Sequence, residues 1–523
     1  MPKSLHIIGI ILAMINTCYA RPNIEQLFYA DQTEVNFTNT LPSYLKELVT
    51  LPIEYSFLRK EKRPQLELHQ YQLTSQHWSP VKTLHPAKWQ HNVDIFIPDN
   101  PFPQRALVIV NNGINHNIKS MDSLPATDFS VSTLENIARA TNTIVISVDN
   151  IPNQYLTYEE NGKPLKEDDS VAHSWTLFMA QPDKQQLMPL HIPMAISVSQ
   201  ALTLAQRELK QWNIDNFIVS GISKRGWTTW LAAIADPRID AIVPFAIDLL
   251  GTTAALKHMY QSYGGNWPAV FHPYYQERID EKIATPEFFK LMQIEDPLQY
   301  LGSMYESRLA IPKYIINASG DDFYVPDNSK FYYEKLPRKK SLRVAPNSDH
   351  RGIAKFAEQS LTVFIRRFQH STPLPILHTT LRQQAGKPIL TVKFSEKPEK
   401  VQRWTAKNPL ARDFRHACGI SHNASPINLT TKKEIEISLN TPSKGWEATY
   451  IEATYADGYV ATTQVYITPN DKYPIIAPRL AEKCVKHCRG EVWEKNKLMT
   501  SFQTYYVTRI LRCPMRAILM YLY

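Results

Sequence analysis

Hydrophobic and polar positions alternate through residues 21–100, as in Val93-Asp94-Ile95-Phe96-Ile97. Period-two alternation of this kind predicts half-buried antiparallel strands. Beyond residue 100 the pattern changes to short unbroken apolar runs at 106–110, 143–148, 217–219, 241–246 and 314–316. Strands buried on both faces have this composition, and they belong to a parallel sheet covered by helices. Between the runs, Met194, Val198, Ala201, Leu202, Ala205, Leu209 and Trp212 keep to one face of a 3.6-residue period. Ile353, Phe356, Ala357, Leu361 and Phe364 repeat that spacing later. Strand–helix alternation predicts an α/β fold with a doubly wound sheet.

An aromatic-rich stretch, about 251–310, interrupts the alternation with Tyr260, Tyr263, Trp267, Phe271, Tyr274 and Tyr275. An insertion there lies over the carboxyl ends of the strands, where a lid belongs. After Pro373-Leu374-Pro375 the helical period stops, and β patterns recur at 376–380, 390–394, 434–439, 448–455 and 459–467. The expected organisation is an α/β domain over 21–372, a β-sandwich over 373–474 and a tail over 475–523 without an assignable fold.

Composition narrows the class. A chain of 523 residues with 43% hydrophobic and 20% charged positions is neither disordered nor fibrous, and it is long enough for two or three domains. The formal charge is +9, but residues 475–523 hold nine Lys/Arg against three Asp/Glu, so the excess sits mostly in the tail. No nucleic-acid-binding motif accompanies it, and nucleic acid is not an expected partner. At the N-terminus Lys3 precedes an apolar run over 5–15, followed by Cys18-Tyr19-Ala20. That is the layout of a signal peptide over 1–20 cut after Ala20, with a buried N-terminal helix as the alternative. No later stretch reaches the length of a membrane span, so the expected location is secreted or periplasmic.

Four cysteines follow the signal: Cys418, Cys484, Cys488 and Cys513. In an oxidising compartment they allow two disulfides in three pairings, or free thiols. Cys484-x-x-His487-Cys488 lacks the paired spacing of a zinc ribbon, and neither a metal nor a cofactor is expected. Nothing in the sequence specifies an oligomeric state.

The chemistry centres on Phe217-Ile218-Val219-Ser220-Gly221-Ile222-Ser223-Lys224-Arg225-Gly226-Trp227, a strand running through Gly-x-Ser into a helix. A nucleophile elbow needs this layout, because a sharp turn lifts the hydroxyl out of the sheet. The usual second glycine, two residues after the serine, is here Arg225, and Gly226 follows it. Hydrolases with such an elbow supply an acid and then a histidine from loops after later strands. Gly320-Asp321-Asp322-Phe323-Tyr324-Val325-Pro326 and Pro346-Asn347-Ser348-Asp349-His350 occupy those places in that order. The predicted set is Ser223, Asp322 and His350, with Asp322 preferred for its spacing to Val-Pro and Asp321 or Asp248 as alternative acids. An oxyanion hole is expected from the amide of Lys224 and from Gly113 and Ile114, in the turn Asn111-Asn112-Gly113-Ile114. Glu167-Asp168-Asp169 reads as a solvated acidic loop; the functional alternative makes Glu167 and Asp168 substrate-binding groups, with Trp227 beside them.

Gly221-Ile222-Ser223-Lys224-Arg225-Gly226-Trp227-Thr228-Thr229-Trp230 resembles the signature of the PhoPQ-activated pathogenicity-related protein family. Glu167-Asp168-Asp169, Pro193-Met194, Ile247-Asp248-Leu249-Leu250, Asp296-Pro297, Pro346-Asn347 with His350, Arg412-Asp413-Phe414-Arg415 and Gly445-Trp446 match as well. The likeness spans about residues 25–470. It implies an α/β-hydrolase-like fold in a family that includes secreted proteins, and its name implies a link to virulence. It makes Arg225 an ordinary residue of the motif. The resulting expectation is an exported serine hydrolase acting on an ester or amide of a small molecule or peptide. The rival is a secreted binding or signalling protein on a hydrolase scaffold without turnover.

Overall fold

The computed structural model describes residues 36–475, apart from 81–83, 116–123, 154, 161, 338 and 430–432, together with the backbone strand Lys486–Cys488. The signal peptide expected over 1–20, the side chains of Cys484, Cys488 and Cys513, and most of the basic tail lie outside the described residues.

Nine strands make the central sheet: β1 (Glu54–Arg63), β2 (Leu66–His77), β3 (Lys88–Pro98), β4 (Arg105–Val110), β5 (Ile144–Val148), β6 (Asn216–Ile222), β7 (Ile239–Phe245), β8 (Lys313–Ala318) and β9 (Lys340–Ala345). Their spatial order is β1-β2-β3-β5-β4-β6-β7-β8-β9. The first three pair antiparallel, and β3 joins β5 antiparallel. From β5 to β9 every pairing is parallel. The exchanged positions of β4 and β5 and the run of parallel crossovers after them are the topology of an α/β-hydrolase sheet.

Side-chain alternation sorts the core into two layers. Ala106, Val108 and Val110 of β4 and Phe217 and Val219 of β6 enter one apolar cluster. Leu107, Ile109 and Ile218 enter the other. Successive strand residues point to opposite faces, so each unbroken apolar run supplies both layers. Helices α1 (Thr40–Leu48), α4 (His191–Glu208) and α5 (Lys224–Ala235) cover the first face. Helices α2 (Val131–Thr141) and α9 (Ala357–Gln369) cover the second. Helix α3 (Glu167–Ala180) precedes α4 and joins the first layer. The face expected of α4 proves to be most of its circumference, with Ser197, Ser199 and Gln200 buried as well as the apolar stripe. Sandwiched between sheet and neighbouring helices, α4 presents little surface to water.

The segment 251–310 contributes α6 (Thr252–Ser262), a short strand Asn266–Pro268, α7 (His272–Gln276) and α8 (Pro286–Glu295). The tail strand Lys486–Cys488 pairs antiparallel with Asn266–Pro268. After α9 come β10 (Leu377–Gln384), β11 (Lys387–Phe394), β12 (Lys400–Asn408), β13 (Asn423–Pro426), β14 (Glu434–Ser438), β15 (Trp446–Thr454), β16 (Val460–Thr462) and β17 (Tyr466–Thr468). They form a three-stranded sheet β10-β11-β14 and a second sheet β13-β12-β15-β16, with β17 on β15. Leu390, Val392, Ile451 and Tyr459 share one core cluster with Leu361 and Phe364 of α9. Tyr314 of β8 stacks on Tyr459 and donates its hydroxyl to the Val460 carbonyl at 2.5 Å. Arg367 of α9 pairs with Glu396 and Asp457.

A buried charge cluster fastens these parts. Arg412 and Asp327 are both almost inaccessible and pair at 2.6 Å, while His258 of α6 lies 2.9 Å and Lys330 2.8 Å from the same carboxylate. Burial alone raises a carboxyl pKa, but Arg412, His258 and Lys330 override it and hold Asp327 well below its ordinary value. Removing one partner of a buried pair leaves a charge uncompensated, so Arg412→Met is expected to cost about 3–5 kcal/mol in chemical denaturation. Because the native pKa of Asp327 is depressed, its contribution is complete above about pH 4 and is lost as pH falls towards the native value. The difference in stability between parent and Arg412→Met should therefore shrink on acidification below that point.

Candidate active site

Strand β6 ends at Ile222 and α5 begins at Lys224, so one residue turns the chain. Ser223 does it with φ 61° and ψ −127°, a conformation that strains a residue with a side chain. Its amide donates to the Phe245 carbonyl and its carbonyl accepts from the Trp227 amide, both at 2.9 Å. The approach of α5 to the sheet leaves no room for side chains. A Cβ on Gly221 would stand 2.6 Å from the Arg225 carbonyl oxygen, and one on Gly226 2.7 Å from the Phe245 carbonyl oxygen. Gly226 thus serves the close helix–strand contact, which frees position 225 for an arginine.

The loops after β8 and β9 deliver the other groups. His350 stands with Nε2 2.8 Å from the Ser223 Oγ. Its Nδ1 lies 2.9 Å from both carboxylate oxygens of Asp321. The expectation of Asp322 is corrected here: the carboxylate on the imidazole is Asp321. The Oδ1 of Asp321 accepts the amides of Phe323 at 2.7 Å and Tyr324 at 3.3 Å, and this turn fixes its carboxylate towards the histidine. Asp322 is half-buried beside other charges; burial, Asp321 and Asp349 push its carboxyl pKa up. Asp248 is buried after β7, its carboxyl pKa pushed well up by burial, and it is not on the imidazole. The ring of Phe323 lies 4.4 Å from that of His350, which walls the imidazole from water.

Of the residues expected at the oxyanion hole, Lys224 lines the pocket beside Ser223, and Gly113 and Ile114 do not. Lys224 is the first residue of α5, where an amide has no partner within the helix. The amide of Ile114, however, donates to the Leu124 carbonyl at 2.9 Å. Gly113 adopts φ 121° against the side chain of Asn150, and neither residue lines the pocket beside Ser223.

The acidic triplet is also placed differently from its reading as a loop: Glu167, Asp168 and Asp169 form the first turn of α3, where carboxylates favour the helix dipole. Glu167 is not turned to the pocket. Its oxygens meet Arg225 at 2.6 Å and Lys224 at 3.0 Å. Burial would raise its carboxyl pKa, but the two cations bring it down to about 2. Arg225 also reaches Asp128 at 3.1 Å and the Ile151 carbonyl at 2.5 Å. Asp168 and Trp227 do line the pocket, the former 3.0 Å from the Lys224 ammonium and accepting the Tyr274 hydroxyl at 3.1 Å.

The pocket that opens beside Ser223 is walled by aromatic rings. Trp175 comes from α3, Trp227 from α5, Trp267, Phe271, Tyr274 and Tyr275 from the 251–310 segment, and Phe323 and Tyr324 from the acid loop. Two residues behind it escaped the sequence reading: His191, just before Pro193-Met194, and Glu295, just before Asp296-Pro297, both fully buried. Their only signal was proximity to those motifs.

Residues 41–415 match the PhoPQ-activated pathogenicity-related protein family. The chain belongs to that family. Autocrine proliferation repressor protein A of Dictyostelium discoideum is 30% identical over 430 residues, which cover 76% of this chain and 84% of that one. Among solved structures, the chain is similar to acetyl xylan esterase 1 from Thermoanaerobacterium sp. JW/SL YS485, with 15% identity, 62% of this chain and 93% of that chain covered, and a TM-score of 0.40. For the acetyl xylan esterase from Paenibacillus sp. R4 the figures are 15%, 66%, 98% and 0.43. The family match takes in the elbow, the acid loop, the histidine and the Arg412-to-Arg415 stretch, and stops before most of the C-terminal strands.

Among the described residues, no group of three or more His, Cys, Asp or Glu is arranged to hold a metal, and no helix is long and apolar enough to cross a membrane. Cys418 is disulfide-bonded.

Because backbone atoms face both glycines, Gly226→Ala is expected to destabilise the protein by about 1–3 kcal/mol, as overpacking does. A guanidinium unfolding series against parent protein measures it. A midpoint that does not move would show that α5 can approach β6 and β7 this closely without a glycine at 226.

Proposed function

We propose that this chain is an exported serine hydrolase that transfers the acyl group of an ester or amide through Ser223. One observation carries the reading: the unbroken chain from Asp321 through His350 to the Ser223 hydroxyl, opening into an aromatic pocket. In this mechanism His350 Nε2 takes the proton of Ser223 Oγ as the oxygen attacks the substrate carbonyl. Asp321 holds the imidazole with its proton on Nδ1 and stabilises the imidazolium that forms. The Lys224 amide, at the positive end of α5, stabilises the developing oxyanion. His350 then returns the proton to the leaving group, and water repeats the sequence to release the acid. The signal-like residues 1–20 support export, secreted or periplasmic. The apolar rings favour an apolar or aromatic group beside the scissile bond.

A second reading is favoured by the relative named as an autocrine proliferation repressor: a secreted signal on this scaffold, without turnover. Labelling with a fluorophosphonate probe separates the two. Parent protein lacking residues 1–20 should label, and Ser223→Ala and His350→Ala should not. Asp321→Asn should lower kcat on an activated ester by roughly 10⁴-fold, as loss of the tautomer-fixing carboxylate does. Asp322→Asn should leave kcat nearly unchanged. A folded parent that does not label excludes the hydrolase reading, and equal losses in the two asparagine variants exclude Asp321 as the orienting acid.

A further inference from the structure

Glu295 closes α8 with its side chain fully buried, although a leucine there would satisfy the apolar layer without a charge to desolvate. Its contacts explain the carboxylate. Oε1 accepts the Trp175 indole N–H at 3.0 Å; Oε2 lies 2.8 Å from His191 Nδ1 but without the alignment of a hydrogen bond, so the Trp175 contact is the one that uses the carboxylate. The backbone carbonyl of the same residue accepts the Trp227 indole N–H. The His191 ring lies against Trp227 with centroids 4.8 Å apart, and Trp227 meets Trp175 edge-on at 5.7 Å. Neither Glu295 nor His191 lines the pocket, yet the two tryptophans they hold are its walls beside Ser223.

We propose that Glu295, backed by His191, is a positioning residue that fixes Trp175 and thereby selects a bulky aromatic acyl group over acetyl. The inference rests on the acyl-transfer reading above. An indole N–H in an apolar wall needs an acceptor, and the direction of that acceptor sets the ring plane. With Oε1 removed, Trp175 loses its only polar anchor on Glu295, whereas Trp227 keeps its own because a backbone carbonyl supplies it. The wall that moves is therefore Trp175, and the loss falls on binding of a large acyl group while the reacting atoms stay in place.

The test compares 4-nitrophenyl benzoate with 4-nitrophenyl acetate on protein lacking residues 1–20. Parent protein should favour the benzoate in kcat/KM. Glu295→Ala should lower that preference by about tenfold, the scale on which apolar pockets discriminate, through KM for the benzoate with kcat for the acetate unchanged. Glu295→Gln keeps a carbonyl oxygen for the indole and should remain close to the parent. Trp175→Phe keeps a ring but removes the N–H, and it should shift the preference in the same direction even if Glu295→Ala does not fold. An unchanged preference in Glu295→Ala or Trp175→Phe, a parent that prefers acetate, or one that labels with fluorophosphonate but cleaves neither ester, overturns the proposal. A folded parent that does not label at all instead removes the acyl-transfer reading, and the proposal with it.

Discussion

The backbone at Ser223 can hold φ 61° because Gly221 and Gly226 let α5 lie closer to β6 and β7 than side chains permit. Strain of this kind costs on the order of 1–3 kcal/mol and persists only where the surroundings over-determine it. Here they do so from both sides of the residue: the Ser223 amide is held by Phe245 of the adjacent strand, and its carbonyl by the helix. The consequence is directional. A hydroxyl lifted above the carboxyl ends of a parallel sheet can be met by loops from β8 and β9, and those loops carry Asp321 and His350.

Position 225 shows how that close contact shapes the chemistry around it. With the second glycine displaced by one residue, an arginine side chain runs beneath the elbow and binds Glu167, Asp128 and the Ile151 carbonyl. These partners come from the first turn of α3 and from the loops after β4 and β5, so one buried guanidinium ties three connections to the Ser223 turn. Lys224 extends the network to Asp168 at the pocket wall. Burial would weaken both cations, but the surrounding carboxylates raise their pKa values instead, so the cluster stays ionised and rigid.

Much of this was legible in the sequence because it depends on local pattern. Unbroken apolar runs mark strands with two covered faces, and 106–110, 143–148 and 217–219 lie on β4, β5 and β6. The order of serine, acid and histidine follows from the winding of the sheet. What was not legible depends on direction within a turn or on distant partners. Asp321 and Asp322 are adjacent and chemically alike, and only the amides of Phe323 and Tyr324 decide which carboxylate faces the imidazole. Glu167 looked like solvated acid because its cations lie more than fifty residues away. Strand β12 was missed because Lys400, Gln402, Arg403 and Lys407 break the apolar signal of what is an interior strand of its sheet.

The segment that follows β12 bears on the site more directly than its place near the end of the chain suggests. A Cβ on Gly320, just before Asp321, would stand 2.8 Å from His416, whose amide donates to the Gly320 carbonyl. Asn347, three residues before His350, exchanges hydrogen bonds with the backbone of His422. Arg412 grips Asp327 a few residues beyond the acid loop. The loops bearing Asp321 and His350 are thus braced by residues 412–422, and the disulfide at Cys418 falls inside that brace. A carboxylate and an imidazole on separate loops keep a 2.9 Å contact only if neither loop can drift. The brace supplies that constraint from outside the sheet, which gives a physical reason for the family match to reach Arg412 and Arg415 after the last strand of the α/β sheet has ended.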